Sequence, residues 1–268
     1  ARKLIEENYD NLNCSKRLFQ IYNDIHCGSR SSKDWLNEYY GPSNAVLVLA
    51  GDIDARTARQ KVEHYFGDIR AGKPLAKPSR WVAKRNEDIR KVVYDNIPQT
   101  RFYLLWNVAN YGNRESDILN IASATLASGK NSRLYQRLVE KDKLVSAVYA
   151  QNSPQEISGL FLIVADVLAG IAPKLVEQAI NEEILIFLNK GPTKKELKRI
   201  KARYRSNFIR GMERIGGFGG KSDALAKNLV FTGDPGYSKI ALKNITEAKA
   251  HDVQEISSRW LRKGRLTI

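Results

Sequence analysis

Apolar residues recur along this chain in distinct rhythms, and each rhythm predicts a different element. Between Pro173 and Leu188 the positions Val176, Ala179, Ile180, Ile184, Phe187 and Leu188 follow the 3.6-residue period of one helix face. Similar spacing predicts helices over Ser116–Leu126, Ser132–Glu140, Lys194–Met212, Ser222–Val230 and Val253–Trp260. Ala45–Ala50 (AVLVLA) is instead a continuous apolar run bounded by Asn44 and Gly51-Asp52, the pattern of a strand buried on both faces. Further strands are predicted over Lys91–Tyr94, Arg101–Val108, Ser146–Gln151, Gly159–Val167 and Leu266–Ile268.

Turn residues divide these elements. Glu6–Tyr22 mixes helix formers with asparagine, and Cys27–Ser32 (CGSRSS) reads as a loop whose last serine caps a short helix over Lys33–Tyr40. That helix stops at Gly41-Pro42, and another begins after Asp54 with Ala58, Val62, Tyr65 and Phe66 on one side. Gly67–Asp88 is rich in Lys, Arg, Pro and Gly with little periodicity, so it reads as a linker. The expected division is therefore residues 1–85, first unit plus linker, and 86–268, second unit. Helix, turn and strand recur in the same order at Trp35–Leu49 and Val253–Ile268, which fits two copies of one fold with the first truncated at its N-terminal end. The fold class is α+β, a mixed or antiparallel sheet with helices packed on one face.

Composition narrows the partners. The 44 Lys and Arg against 29 Asp and Glu leave +15, which suits nucleic acid, an anionic membrane surface or acidic peptides equally well. Two stretches concentrate the charge, Arg70–Lys91 and Lys194–Arg205. In the second, Leu197, Ile200 and Tyr204 mark the inner face of an amphipathic helix, so its cations form the solvated face. The first interleaves a single aromatic, Trp81, and carries no modular recognition motif, so a nucleic-acid partner is not expected. Cys14 and Cys27 are too few for a disulfide framework and lack zinc-pair spacing. No apolar run reaches the roughly 18 residues of a membrane span, and Ala1–Asp10 is charged rather than signal-like.

The residues that carry chemistry are sparse. Of the histidines, His64 sits within a helix, His251 precedes Asp252, a capping residue at a helix start, and His26 beside Cys27 lacks the further ligands a zinc ion needs. Gly216, Gly217, Gly219 and Gly220 surround Phe218 in a GGFGG run before Lys221-Ser222, but a helix rather than a strand precedes it, against the phosphate-loop pattern. A hinge or a glycine-lined groove wall fits better. No serine lies in a GxSxG setting and neither cysteine has a persuasive histidine partner, so nucleophilic catalysis finds no support.

Thr125–Tyr149 (TLASGKNSRLYQRLVEKDKLVSAVY), Tyr39–Lys73 and Phe208–Asp234 together resemble the pitrilysin/insulinase-like zinc peptidases, the inverzincins, from about Tyr39 to the end of the chain. The resemblance implies a duplicated α/β unit of the processing-peptidase type, two units forming half of a chamber that encloses extended peptides. It implies a zinc held by two histidines of an HxxEH helix and a distant glutamate, with the HxxEH glutamate as general base. An Arg and a Tyr from the opposite half stabilise the oxyanion. Here the HxxEH segment is absent, only Glu6 or Glu7 lies near the distal ligand's position, and the Arg and Tyr positions fall on Val139 and Ser146. Arg133, Tyr135 and Arg137 are nearby, and with Gly216, Gly217, Gly219 and Gly220 they are the candidate substrate-binding residues. The stretch between Glu7 and Tyr39 is also shorter than the family's pattern.

The expectation is thus a non-catalytic portion of a zinc endopeptidase, itself without a cofactor, that works with a partner half or subunit on peptide or protein substrates. A peptide-binding or assembly scaffold without a role in proteolysis is the alternative reading. The resemblance also implies a bacterial periplasmic or envelope setting.

Overall fold

The computed structural model describes residues 32–72 and 76–268. The chain divides into two compact units: the described residues up to Lys77 with Tyr94–Asn96, and Pro78–Val93 with Ile97–Ile268.

In the first unit, helix α1 (Ser32–Tyr39) gives way to a 3-10 turn at Pro42–Asn44. Ser43 N donates to Ala71 O at 2.8 Å, and a side chain at Gly41 would meet that same carbonyl at 2.9 Å, so only glycine allows this approach. Helix α2 (Ala55–Phe66) starts at Asp54, whose carboxylate accepts from Thr57 N at 2.9 Å and Thr57 Oγ1 at 2.6 Å, an N-cap that holds the Asp54 pKa below its ordinary value. The strand expected over Ala45–Ala50 does not form. Residues 45–50 have no ladder partner among the described residues, and Leu47 and Leu49 are about half exposed. An apolar run becomes a buried strand only when neighbours pair with both of its edges.

The second unit is a five-stranded mixed sheet with helices. Its strands are β1 (Ile89–Arg90), β2 (Arg101–Val108), β3 (Val145–Pro154), β4 (Gly159–Val167) and β5 (Leu266–Thr267), ordered β1-β5-β2-β4-β3. Only β1 and β5 run parallel. The strand expected over Lys91–Tyr94 does not form; the chain pairs just before it, at β1, where Ile89 and Lys91 donate to the carbonyls of Arg265 and Thr267. Alternation along β2 sends Phe102, Leu104, Trp106 and Val108 into the core. There they join Phe161, Ile163 and Ala165 of β4 and Val145 and Val148 of β3.

Helices α3 (Arg114–Ala127), α4 (Pro173–Lys190) and α8 (Ala250–Leu261) cover that inner face, joined by α5 (Lys194–Glu213), α6 (Lys221–Thr232) and α7 (Tyr237–Glu247). The stripe on α4 is buried at all six predicted positions. Helix α8 starts three residues before its predicted Val253, with Lys249 rather than Asp252 at the cap position. Asp252 instead reaches back from the third helical position to accept from Lys249 N at 2.9 Å. Helix α7 escaped the apolar pattern because it buries only Tyr237 and Ile245. Its hold on α3 is polar: Tyr237 Oη and Asn244 Nδ2 donate to the buried Asp117 carboxylate at 2.7 and 2.8 Å.

Residues 78–88, read above as linker, lie against this second unit. Arg80 donates to Phe231 O and Asn107 donates to Ala83 O, both at 2.8 Å. No described helix is long and apolar enough to cross a membrane.

Candidate functional site

The segment from Ser128 to Ser146 joins α3 to β3 through four backbone irregularities. Gly129, at φ +87°, turns the chain after α3, and Ser132 closes the turn by donating its N–H and hydroxyl to Gly129 O. The helix expected over Ser132–Glu140 then winds as a π-helix, Tyr135–Lys141, and Asp142 N closes it by donating five residues back to Arg137 O. Lys143 follows at φ +49°, the one non-glycine residue with positive φ among those described. Finally β3 shifts register against β4 between Val145 and Ala147, which places Ser146 on a β-bulge. Bulges and π-turns re-aim side chains, yet the groups aimed here are small. Val139 packs half-buried against the core, and Ser146 makes only long hydrogen bonds, donating to Asp166 O at 3.3 Å and accepting from Gln99 Nε2 at 3.4 Å.

A groove of about 650 Å³ opens between the π-helix, the end of α4 and the start of α5, bordered by Arg133, Arg137, Lys141, Glu183, Lys190 and Glu196. Arg133 dominates its floor. Its Nε and Nη2 grip the two Glu196 oxygens at 2.8 and 2.9 Å, Nη2 also donates to Gly191 O, and its guanidinium lies 5.5 Å above the centre of the Phe187 ring. Glu196 accepts in addition from Thr193 N at 2.7 Å and Thr193 Oγ1 at 2.8 Å, closing the capping box of α5. Burial alone would raise the Glu196 pKa, but the hydrogen bonds from Arg133 and Thr193 and the Arg133 charge outweigh it and hold the carboxyl at about 2. Arg137 pairs with Glu182 and with Asp142. The groove's arginines are therefore matched by carboxylates, while Lys141 and Lys190 stand exposed at its edge without an ion pair among the described residues. Tyr135 packs partly buried against the core.

A smaller hollow of about 190 Å³ lies beyond the α3 turn, where Arg203 donates to Ser128 O and Oγ and Arg199 donates to Asn131 O. The four glycines of the GGFGG run border neither hollow and sit instead in the loop between α5 and α6. The structure thus brings Arg133 and Arg137 together and sets Gly216, Gly217, Gly219 and Gly220 apart. Glu183 and Glu196, which fix Arg133, carried no local signal, since they lie about fifty residues or more along the chain.

The described residues do not suit zinc. Nowhere among them do three or more His, Cys, Asp or Glu side chains converge as a metal would need. His64 is exposed, its ring 4.8 Å from that of Tyr65, and the exposed His251 lies 3.9 Å from Glu255. Glu6, Glu7, Cys14, His26 and Cys27 lie outside the described residues.

A five-stranded mixed sheet with helices packed on its inner face defines an α+β unit. The family model for the peptidase M16 inactive domain matches residues 30–204, and the chain belongs to that family, the pitrilysin-like peptidases. Among curated proteins it is 25% identical over 182 residues to the zinc protease PqqE of Helicobacter pylori, covering 65% of this chain and 40% of that protein. It is 27% identical over 221 residues to an uncharacterized zinc protease of Rickettsia felis, covering 82% and 51%. The chain thus spans about half the length of these relatives. Among solved structures, a protease from Helicobacter pylori superposes with a TM-score of 0.75 at 20% identity, over 89% of this chain and 59% of that one. The peptidase M16 inactive domain from Pseudomonas fluorescens gives 0.71 at 17%, over 90% and 57%.

Proposed function

We propose that this chain is the non-catalytic wall of a peptide-enclosing chamber in a zinc-dependent endopeptidase, and that hydrolysis depends on an HxxEH segment carried by a partner half or subunit. One observation carries the reading: the family match falls on the inactive domain. The family resemblance supports it by placing the oxyanion-stabilising Arg and Tyr positions on Val139 and Ser146. A valine offers no donor and a serine hydroxyl on the bulge is too short to replace a phenol. Arg133 and Arg137 stiffen the wall through their carboxylates, leaving Lys141 and Lys190 at the groove edge for acidic groups of a substrate. Zinc belongs to the complete enzyme, as the names of the relatives indicate.

The test is reconstitution. The purified chain is expected to leave a quenched-fluorescence peptide library intact, and to restore cleavage when mixed with an HxxEH-bearing partner that is weak alone. Cleavage by the isolated chain with stoichiometric zinc defeats the proposal. Unchanged activity of the partner on mixing favours a scaffold with no role in proteolysis.

A further inference from the structure

The smaller hollow, beyond the end of α3, carries charge of one sign. Lys130 comes to it from the turn after α3, and Arg199 and Arg203, one helical turn apart, come from α5. Ser128, Gly129 and Asn131 complete its rim, and the buried Ala124 and Ile200 also line it. No Asp or Glu borders it, and none of its three cations forms an ion pair with a described carboxylate. Of the two carboxylates on α5, Glu196 is already bound by Arg133 and Thr193. The other, Glu213, closes the helix about 15 Å beyond Arg203 along its axis.

Contacts to the turn hold the arginines in place and leave donors over. Arg199 Nη2 donates to Asn131 O at 2.9 Å, Arg203 Nη1 to Ser128 O at 3.2 Å and Arg203 Nη2 to Ser128 Oγ at 3.1 Å. Nε of both arginines, the Lys130 ammonium and the backbone N–H groups of Lys130 and Asn131 have no acceptor among the described residues. Ser128 Oγ accepts from Arg203, so its own proton is free to donate. Gly129, at φ +87°, makes the turn that brings Asn131 to Arg199.

We propose that this hollow binds a phosphoryl group, as inorganic phosphate or the terminal phosphate of a small phosphomonoester. Charge and acceptor number select this ligand. A phosphomonoester carries about two negative charges on three strong acceptor oxygens, a match for three unopposed cations reaching one hollow from two elements. A carboxylate, with one charge and two oxygens, would leave at least one of the cations unmatched. Arginine forks bind phosphate oxygens in pairs, and a concavity with cations of one sign over apolar walls concentrates their field. A flat anionic membrane or a nucleic-acid backbone calls for side chains extended outward in a row, whereas both arginines here fold down onto the turn. The hollow shares no lining residue with the larger groove, and the inference does not rest on the chamber-wall reading.

Phosphorus NMR titration of inorganic phosphate into the whole chain, at constant ionic strength, tests this. Saturable binding is expected, weakened at least about tenfold when Arg199→Gln and Arg203→Gln are combined and at least about threefold in Lys130→Gln. Lys130 is exposed on the turn, so its variant reads binding without touching the fold, and circular dichroism melts check the double variant. Lys221→Gln, at the start of α6 and away from the hollow, should stay within about twofold of the wild type. Acetate should not displace the phosphate. Affinity unchanged in the double variant, equal loss in Lys221→Gln, displacement by acetate or no saturable binding at all each overturns the site. Sedimentation with phosphatidate vesicles separates the sources: retention that needs Arg199 and Arg203, without binding of free phosphate, assigns the surface to lipid and overturns the small-anion site. None of these outcomes bears on the reconstitution of peptidase activity.

Discussion

Arg133 and Glu196 meet at two points, Nε and Nη2 at 2.8 and 2.9 Å from the two carboxylate oxygens, and the same carboxylate closes the first turn of α5. One residue thus joins the π-helix region to the start of the most basic of the described helices. Both side chains are largely buried, at 14% and 16% exposure, so removing one strands the other. Glu196→Ala is expected to cost about 2–4 kcal/mol in urea unfolding, with Arg133→Ala close behind. The double variant should cost clearly less than the two single costs added together. Strict additivity would show that the pair is not coupled.

The pH dependence follows from the same carboxylate. Because its folded pKa of about 2 lies below its ordinary 4.5, Glu196 contributes stability that is fully present above the ordinary value and is lost as pH falls through the folded one. Unfolding free energy measured from pH 6 to pH 2 should therefore fall more steeply in the wild type than in Glu196→Gln.

Asp117 works with the opposite sign. Burial raises its pKa above 3.8, against the lowering effect of hydrogen bonds from Asn244 and Tyr237. Its favourable contribution is full below the ordinary value and is lost as pH rises through the folded pKa. Tyr237→Phe removes a donor from the carboxylate and should raise the Asp117 pKa further, while costing about 1–2 kcal/mol at neutral pH. Carbon-detected NMR titration of the Asp117 carboxyl checks this, and a downward shift in the variant would falsify the account.

Lys143 occupies φ +49° between the π-helix and β3, a region that costs a residue with a Cβ roughly 1 kcal/mol. Lys143→Gly is expected to raise the unfolding free energy by up to about 1 kcal/mol, less the added freedom of glycine in the unfolded chain. A calorimetric melt shifted downward would show that the lysine side chain makes a compensating contact.

In the core, Phe161 and Trp106 stack edge to face with centroids 6.0 Å apart, and both are almost wholly buried. Phe161→Ala should cost about 3–5 kcal/mol. Trp106→Phe should cost much less than its lost volume suggests, because the buried Trp106 Nε1 has no acceptor among the described residues and its removal relieves that penalty. Denaturant midpoints for the two variants compare the two effects directly.

How far the sequence could be read depended on where each element finds its partners. Helix α4 was legible because its six apolar positions face one core, and β2 and β4 match their predicted spans because turn residues close both ends. Ala45–Ala50 reads as a buried strand for the same local reasons, yet a strand is a relation to neighbours, and the described residues supply none. Helix α7 was invisible because it is anchored through Asp117, 120 residues from Tyr237, rather than by an apolar stripe. In the groove, Arg133 and Arg137 could be singled out from the sequence. Glu183 and Glu196 could not, because only the folded chain brings them into range. The π-helix and the bulge at Ser146 likewise leave no compositional trace.

Strand β3 closes one side of the sheet, and its ten residues, VSAVYAQNSP, include no Asp, Glu, Lys or Arg. Edge strands are ordinarily guarded by charge on the strand itself, above all lysine. Here the strand carries a bulge at Ser146 and ends in Pro154, and the +15 of the whole chain adds a repulsion between copies. That repulsion is only as long as the reach of its field, about 30 Å in 0.01 M salt and about 3 Å in 1 M. The colloidal behaviour of this protein is thereby tied to ionic strength, and adding salt, the usual remedy for a sticky basic protein, works against it.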